Sequence, residues 1–342
     1  MKELTLPASA DDLALSVLAG APDATPRGLV QLVHGMCEHK ERYIPLMDFL
    51  TGHGYVCVIH DHRGHGASVK AERDLGFLYE GGWEAMVEDV RVVSDCALEQ
   101  WPGLEYTLLG HSMGSMVVRS FAKRYDERLD RLFVCGSPSD NPAKTMGRTL
   151  AWIFSRVRGG HFRPKLLQQL SFGTFNKPYE NEGWPAAWVC SNKEILVEYH
   201  KDPLCTYQFT ANGFAGLMGL MQDCYSPKGW KVSRPEMPVH FISGAEDPCR
   251  GSDQAIEAAA EMMRRVGYRH VDLKLYPGMR HEILNETDHQ VVWDDILALL
   301  YDGSGREVHA GGPAGGAGGR LGGRGAHRGR GRVPRPHHRA RA

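Results

Sequence analysis

A mainly parallel central sheet flanked by helices, an α/β fold, is predicted for this chain from three observations. Short apolar strand-like runs alternate with helix-periodic segments over residues 13–135 and again over 239–301, the rhythm of right-handed crossovers. One run passes directly into Gly110-His111-Ser112-Met113-Gly114, a glycine-flanked serine between a strand and a helix. Between the two alternating blocks, residues 141–231 break the rhythm, so they read as an insertion rather than as part of the sheet.

Taken in order, strands are expected at 13–17 and 29–33, a helix at 43–53, and a strand at 55–60 that breaks at Asp61-His62-Arg63-Gly64-His65-Gly66. The helix at 83–100 draws its apolar face from Met86, Val90, Val93 and Ala97. The strand at 106–109 and the helix from 113 to about 125 flank the serine, and Met116, Val117, Phe121 and Ala122 keep helical spacing in that helix. A strand at 132–135 closes the first block. The second block holds a strand at 239–243, a helix at 253–266, a strand at 271–276 and a helix at 290–301.

With 342 residues there is ample chain for one α/β domain carrying an insertion. Of the 40 Lys and Arg, nine fall in residues 304–342, as does one of the 41 Asp and Glu. The remaining body therefore carries 31 basic against 40 acidic residues, a net of −9. An acidic body argues against nucleic acid as its partner. The tail from 304 is Gly, Arg, Ala and Pro without periodicity and is expected to be disordered; its role stays open, since it resembles RGG-type segments and equally a solvated extension. Eight scattered cysteines with no C-x-x-C pair suggest reduced thiols and a cytoplasmic location. The apolar run 13–21 follows Glu3, Asp11 and Asp12, so it is read as a strand, not a signal peptide. Residues 203–222 are uncharged but hold Thr206, Gln208, Thr210 and Asn212, so no membrane span is expected.

The chemistry is read from Ser112. A serine hydroxyl attacks only when it is exposed on a sharp turn with a base beside it, and Gly110 and Gly114 allow that turn to pack closely. The following helix aims its first amides at any anion formed there. A base and an orienting acid are then required. Gly244-Ala245-Glu246-Asp247-Pro248 follows one strand and places Asp247 in a loop at a strand's carboxyl end; Glu246 and Asp253 are alternatives for the acid. Tyr276-Pro277-Gly278-Met279-Arg280-His281 follows the next strand and places His281 in the equivalent loop. The amides of Met36, after the strand at 29–33, and of Met113 are the expected oxyanion donors. Within the insertion, Trp184, Phe209, Phe214, Leu217 and Met218 are candidates for an acyl pocket, along with Trp152, Phe154, Phe172, Phe175, Trp188 and Met221; for each, membership of the insertion's own core is the competing reading.

His34-Gly35-Met36-Cys37-Glu38-His39 with Arg42-Tyr43, Asp61-His62-Arg63-Gly64-His65-Gly66, Gly110-His111-Ser112-Met113-Gly114, Asp202-Pro203-Leu204, Gly244-Ala245-Glu246-Asp247-Pro248 and Arg280-His281-Glu282 together resemble the monoacylglycerol lipase and lysophospholipase-like branch (serine aminopeptidase S33-type) of the α/β-hydrolases, over roughly residues 10–301. That resemblance implies an α/β-hydrolase fold, a triad of Ser112, Asp247 and His281, the insertion as a lid (cap), and a lipid-like carboxylic ester as substrate. It also implies no metal or organic cofactor, with transient contact between the lid and a membrane surface. The expected domains are a core over 1–140 and 232–303, a cap over 141–231 and the tail over 304–342. Cys37 stands where the family often has glycine, and the arginine-rich tail is foreign to the family.

Three rivals remain. Thioesterase or acyltransferase activity would use the same acyl-enzyme. A non-catalytic binding protein could keep the fold. A zinc hydrolase could use His60, His62 and His65, but Gly64 stands where that motif needs a carboxylate.

Overall fold

The structure is a computed structural model and describes residues 1–302; the tail expected to be disordered lies outside the described residues. One eight-stranded sheet runs in the order β1-β2-β4-β3-β5-β6-β7-β8. Its strands are β1 (Lys2–Pro7), β2 (Ala14–Gly20), β3 (Gly28–Val33), β4 (Tyr55–His60), β5 (Glu105–His111), β6 (Arg131–Cys135), β7 (Val239–Gly244) and β8 (Val271–Tyr276). β1 and β2 pair antiparallel, β2 pairs antiparallel with β4, and every other neighbour is parallel. Parallel strands need crossovers, which cover both faces; accordingly β3, β4, β6 and β7 are buried along their whole length. The edges alternate instead: β8 shows one face to solvent, and β1 is exposed at four of six positions. β1 escapes the sequence reading because KELTLP is short and charged and becomes a strand only by pairing with β2.

The helices of the sheet domain are α1 (Ile44–Gly52), α2 (Gly82–Gln100), α3 (Met113–Tyr125), α8 (Asp253–Val266) and α9 (His289–Asp302). Between β6 and β7 the chain runs through α4 (Lys144–Arg158), α5 (Lys165–Phe172), α6 (Lys193–Lys201) and α7 (Ala211–Cys224) without adding a strand. α7 contributes most to the main core, to which α4 and α5 add Ala151 and Leu167. Phe214, Leu217 and Leu220 join the cluster built from β5, β6 and α3, while α4 packs along the outside of α7. No helix among the described residues is long and apolar enough to cross a membrane.

The loop after β4 is fastened by a buried charge. The Arg63 side chain is fully buried; its Nε lies 2.8 Å from Asp89 Oδ2 and its Nη1 3.1 Å from Asp11 Oδ2, joining the loop to α2 and to the N-terminal hairpin. Removing one partner of a buried pair leaves the other charge unsolvated. Asp89→Asn is therefore expected to lower unfolding free energy by about 3–5 kcal/mol, read as a shifted urea midpoint; a shift near zero would show that Arg63 finds other acceptors.

Candidate active site

β5 ends at His111, and the chain turns into α3 at Ser112 with φ 54° and ψ −120°, a conformation that costs a side-chain-bearing residue about 1–3 kcal/mol. The surroundings hold it there. Ser112 N donates to Cys135 O at 2.9 Å, and Ser115 N and Oγ donate to Ser112 O at 2.9 and 2.6 Å. The two glycines are required by contact: a Cβ on Gly114 would overlap the Val33 carbonyl, and one on Gly110 would overlap the Gly114 carbonyl. So α3 lies directly against β3 and β5, with its first amides beside Ser112.

The loops after β7 and β8 bring the other two groups to the same end of the sheet. His281 Nε2 lies 2.8 Å from Ser112 Oγ, and His281 Nδ1 lies 2.9 Å from Asp247 Oδ2. Asp247 is 2% exposed and is fixed by accepting from Cys249 N at 2.8 Å. Of the alternative acids, Glu246 is exposed and Asp253 pairs with Arg250 at 2.6 Å, so Asp247 is the carboxylate on His281. With Asp247 accepting from Nδ1–H, Nε2 is left to accept the Ser112 proton. Met36, in the turn after β3, and Met113, at the start of α3, border the same cavity as Ser112. As first residue of its helix, Met113 has no intrahelical partner for its N–H.

Sequence reasoning missed a buried ionic lattice behind this row. Glu38 accepts from the amide of Gly35, from Tyr43 Oη at 3.1 Å and from Arg42 Nη1 at 3.3 Å, and Arg42 forms a two-pronged pair with Glu282 at 2.6 and 2.7 Å. His111 Nδ1 is 3.1 Å from Glu38 Oε1, and its Nε2 is 3.2 Å from the His281 carbonyl. Both partners are acceptors only, so both nitrogens must carry protons. In agreement, burial pulls the His111 value down but the bond and charge of Glu38 outweigh it and raise it. Burial likewise pushes the Glu38 carboxyl up, but the His111 bond and charge, with Arg42 and the Gly35 amide, bring it to about 2. The available signal was the presence of Glu38 and His111 in the motifs around the oxyanion turn and the serine; their pairing joins residues 73 apart.

A cavity of about 750 Å3 opens over Ser112. Leu217 and Met218 line it, whereas Phe209 and Phe214 are fully buried in the main core and do not. Trp184 packs instead with Val189, Cys190 and Leu196 in a small separate cluster. All three rings are taken up by hydrophobic clusters instead of the cavity wall. Trp188, Phe172 and Phe175 take the expected place, with the Trp188 ring 5.1 Å from that of His281. Cys37 also borders the cavity in a left-handed conformation, φ 54°, its thiol directed at the Tyr207 carbonyl at 3.3 Å.

His60, His62 and His65 are fully buried; His62 meets His60, His65 and His34 edge to face, and His65 also meets His34. His62 Nε2 faces the His34 carbonyl at 3.1 Å and His65 Nδ1 faces the Arg63 carbonyl at 3.1 Å. Burial lowers His60 and His65 to about 4, so they pack as neutral rings under the turn after β3.

Residues 24–288 match the family model described as serine aminopeptidase, S33. The chain is 30% identical over 280 residues to a monoacylglycerol lipase of Mycolicibacterium smegmatis, covering 82% of this chain and 90% of that one. It is 38% identical over 281 residues to human monoglyceride lipase, covering 79% and 82%. Among solved structures, a thermostable carboxyl esterase from Bacillus coagulans superposes with a TM-score of 0.82 at 26% identity, covering 89% of this chain and 98% of that one.

The Glu38–His111 pair makes stability depend on pH in two windows. Glu38 is depressed, so its contribution is present above its ordinary value of 4.5 and lost as pH falls toward about 2. His111 is raised, so its contribution is present below its ordinary value of 6.5 and lost as pH climbs through its folded value. Glu38→Gln is expected to flatten both limbs in urea unfolding measured across pH; an acid limb as steep as the parent's would contradict the pairing.

Proposed function

From the premise that the chain belongs to the serine aminopeptidase S33 family and is a monoacylglycerol lipase-like carboxylic-ester hydrolase of the α/β-hydrolase fold, we propose that it cleaves a monoacylglycerol or lysophospholipid through a Ser112-His281-Asp247 acyl-enzyme mechanism. The observation that carries this reading is the continuous hydrogen-bonded row from Ser112 Oγ through His281 to Asp247. His281 Nε2 takes the hydroxyl proton as Oγ attacks the ester carbonyl, and Asp247 stabilises the imidazolium that results. The Met36 and Met113 amides receive the oxyanion; loss of one such donor costs about 3 kcal/mol at the transition state. Collapse breaks the carbon–oxygen bond to the alcohol, which leaves with the proton from His281. Water then gives its proton to His281 and attacks the acyl-enzyme; on collapse that proton returns to Ser112 and the carboxylic acid departs.

The substrate class rests on the cavity and its cover. Residues 141–231 act as the cap, and Leu217, Met218, Phe172 and Phe175 form an apolar wall suited to an acyl chain. Outward on α4 and α5, Trp152, Ile153, Val157, Leu166 and Leu170 are exposed, which supports transient contact of the cap with a lipid surface. No residue of the proposed chemistry calls for a metal or organic cofactor.

Ser112→Ala and His281→Gln are expected to lower kcat for p-nitrophenyl esters by at least about 10^4-fold without unfolding the protein, and Ser112→Ala to lose labelling by a fluorophosphonate probe. Full retained activity would refute the assignment. With Ser112→Ala as background, a panel of monoacylglycerols, lysophospholipids, short esters and acyl thioesters tests the substrate; turnover confined to short esters or thioesters would reject the lipid reading.

A further inference from the structure

The motifs around His39 and Asp202-Pro203-Leu204 have no part in the proposed chemistry, yet the fold brings them together. His39 lies in the segment that leads from β3 to α1, and Asp202 and Cys205 lie between α6 and α7. His39 Nε2 is 2.7 Å from Asp202 Oδ2, and the ligand atoms of His39, Asp202 and Cys205 all lie within 4.8 Å of one another. Cys205 is 2% exposed, while the Asp202 side chain is 28% exposed and opens a path to solvent. On the far side of the ring, His39 Nδ1 is 2.6 Å from Glu41 Oε2, the outer carboxylate that commonly orients a metal-binding imidazole.

We propose that His39, Asp202 and Cys205 form a binding site for zinc or a related borderline-soft divalent metal, which ties the cap to the core turn next to the cavity. A mixed nitrogen, oxygen and sulfur set selects such ions over magnesium or calcium, which take oxygen donors. Three protein ligands leave a fourth tetrahedral position for water, on the exposed Asp202 side. Metal–nitrogen and metal–oxygen bonds of about 2.0–2.2 Å at a tetrahedral angle put those ligand atoms about 3.3 Å apart, so the Asp202 carboxylate need move by less than 1 Å. The metal takes the lone pair of His39 Nε2, whose proton is released, and binds Cys205 as a thiolate, releasing the thiol proton; Nδ1–H stays on Glu41. The dication with one carboxylate and one thiolate leaves the site neutral. Cys205 and Thr206 also border the cavity, so a bound metal would stiffen one wall of it.

The test uses the full chain, stripped with chelator and titrated with cobalt(II). Expected are tetrahedral visible bands and a near-ultraviolet thiolate-to-cobalt charge-transfer band, both displaced by one equivalent of zinc. Cys205→Ser should abolish the charge-transfer band, and His39→Gln and Asp202→Asn should each weaken zinc binding by more than about tenfold. A second set of close metal-binding side chains, Asp247, Cys249 and His281, supplies the discriminating arm. A band that survives Cys249→Ser supports the proposal; a band lost with Cys249 and kept in Cys205→Ser overturns it. Histidines elsewhere in the chain, including those in the tail, supply no sulfur and so no such band. Zinc should also raise the melting temperature of the parent and of Cys249→Ser but not of Cys205→Ser. Absence of any cobalt–thiolate absorption from the folded parent at a tenfold molar excess of cobalt overturns the proposal regardless of how the variants fold.

Discussion

Everything at the active end of the sheet depends on holding Ser112 at φ 54°, a backbone state that a serine does not choose. The restraint is steric and comes from two sides. Gly114 rests against the Val33 carbonyl and Gly110 against Gly114, so only glycine at both positions lets α3 sit this close to the strand ends; the Cys135 carbonyl meanwhile holds the Ser112 amide. The stored strain is offset by the packing of Met116, Val117 and Phe121 into the sheet, all at most 1% exposed. A helix held that close to the strand ends keeps its N-terminal amides beside the serine.

Around that elbow the protein places charge where burial should forbid it. Glu38, His111 and Glu282 are buried and Arg42 is only 12% exposed, tolerated because each finds at least one oppositely charged partner. The same groups locate two backbone features: Glu38 holds the Gly35 amide in the turn after β3, and His111 holds the His281 carbonyl. The loop bearing His281 is also bonded to the inserted segment 187–191. Glu282 N donates to Val189 O at 2.8 Å, Arg280 Nη1 to Ala187 O at 2.7 Å, and Ser191 N to Glu286 Oε1 at 3.0 Å. The positions of this segment and of the imidazole are therefore linked through direct hydrogen bonds.

Much of this was legible before any coordinates. Continuous apolar runs such as YVCVIH at β4 can be satisfied only inside a covered sheet, so strand existence follows from composition. The helix 253–266 was readable to the residue because Ser252 caps its start, accepting from Ala255 N at 3.1 Å, and Gly267 ends it. Residues 141–231 resisted, since α5 and α6 are only eight and nine residues long and each buries a single side chain, Leu167 in the main core and Leu196 in a separate small cluster. Aromatic type alone could not tell Trp188, over His281, from Trp184, four residues earlier and packed against the cluster of Val189, Cys190 and Leu196.

By itself, the order of residues determined the α/β class, the elbow at Ser112, and the loops in which Asp247 and His281 stand, because each rests on local physics: periodicity, glycine placement and strand-end position. Tertiary structure alone decided which carboxylate meets His281 Nδ1, which aromatics face the cavity, and that Glu38 pairs with His111 and His39 with Asp202. Those contacts join residues 34, 73 and 163 apart. No local spacing rule spans such separations; only the stacking of strands brings their ends to one rim.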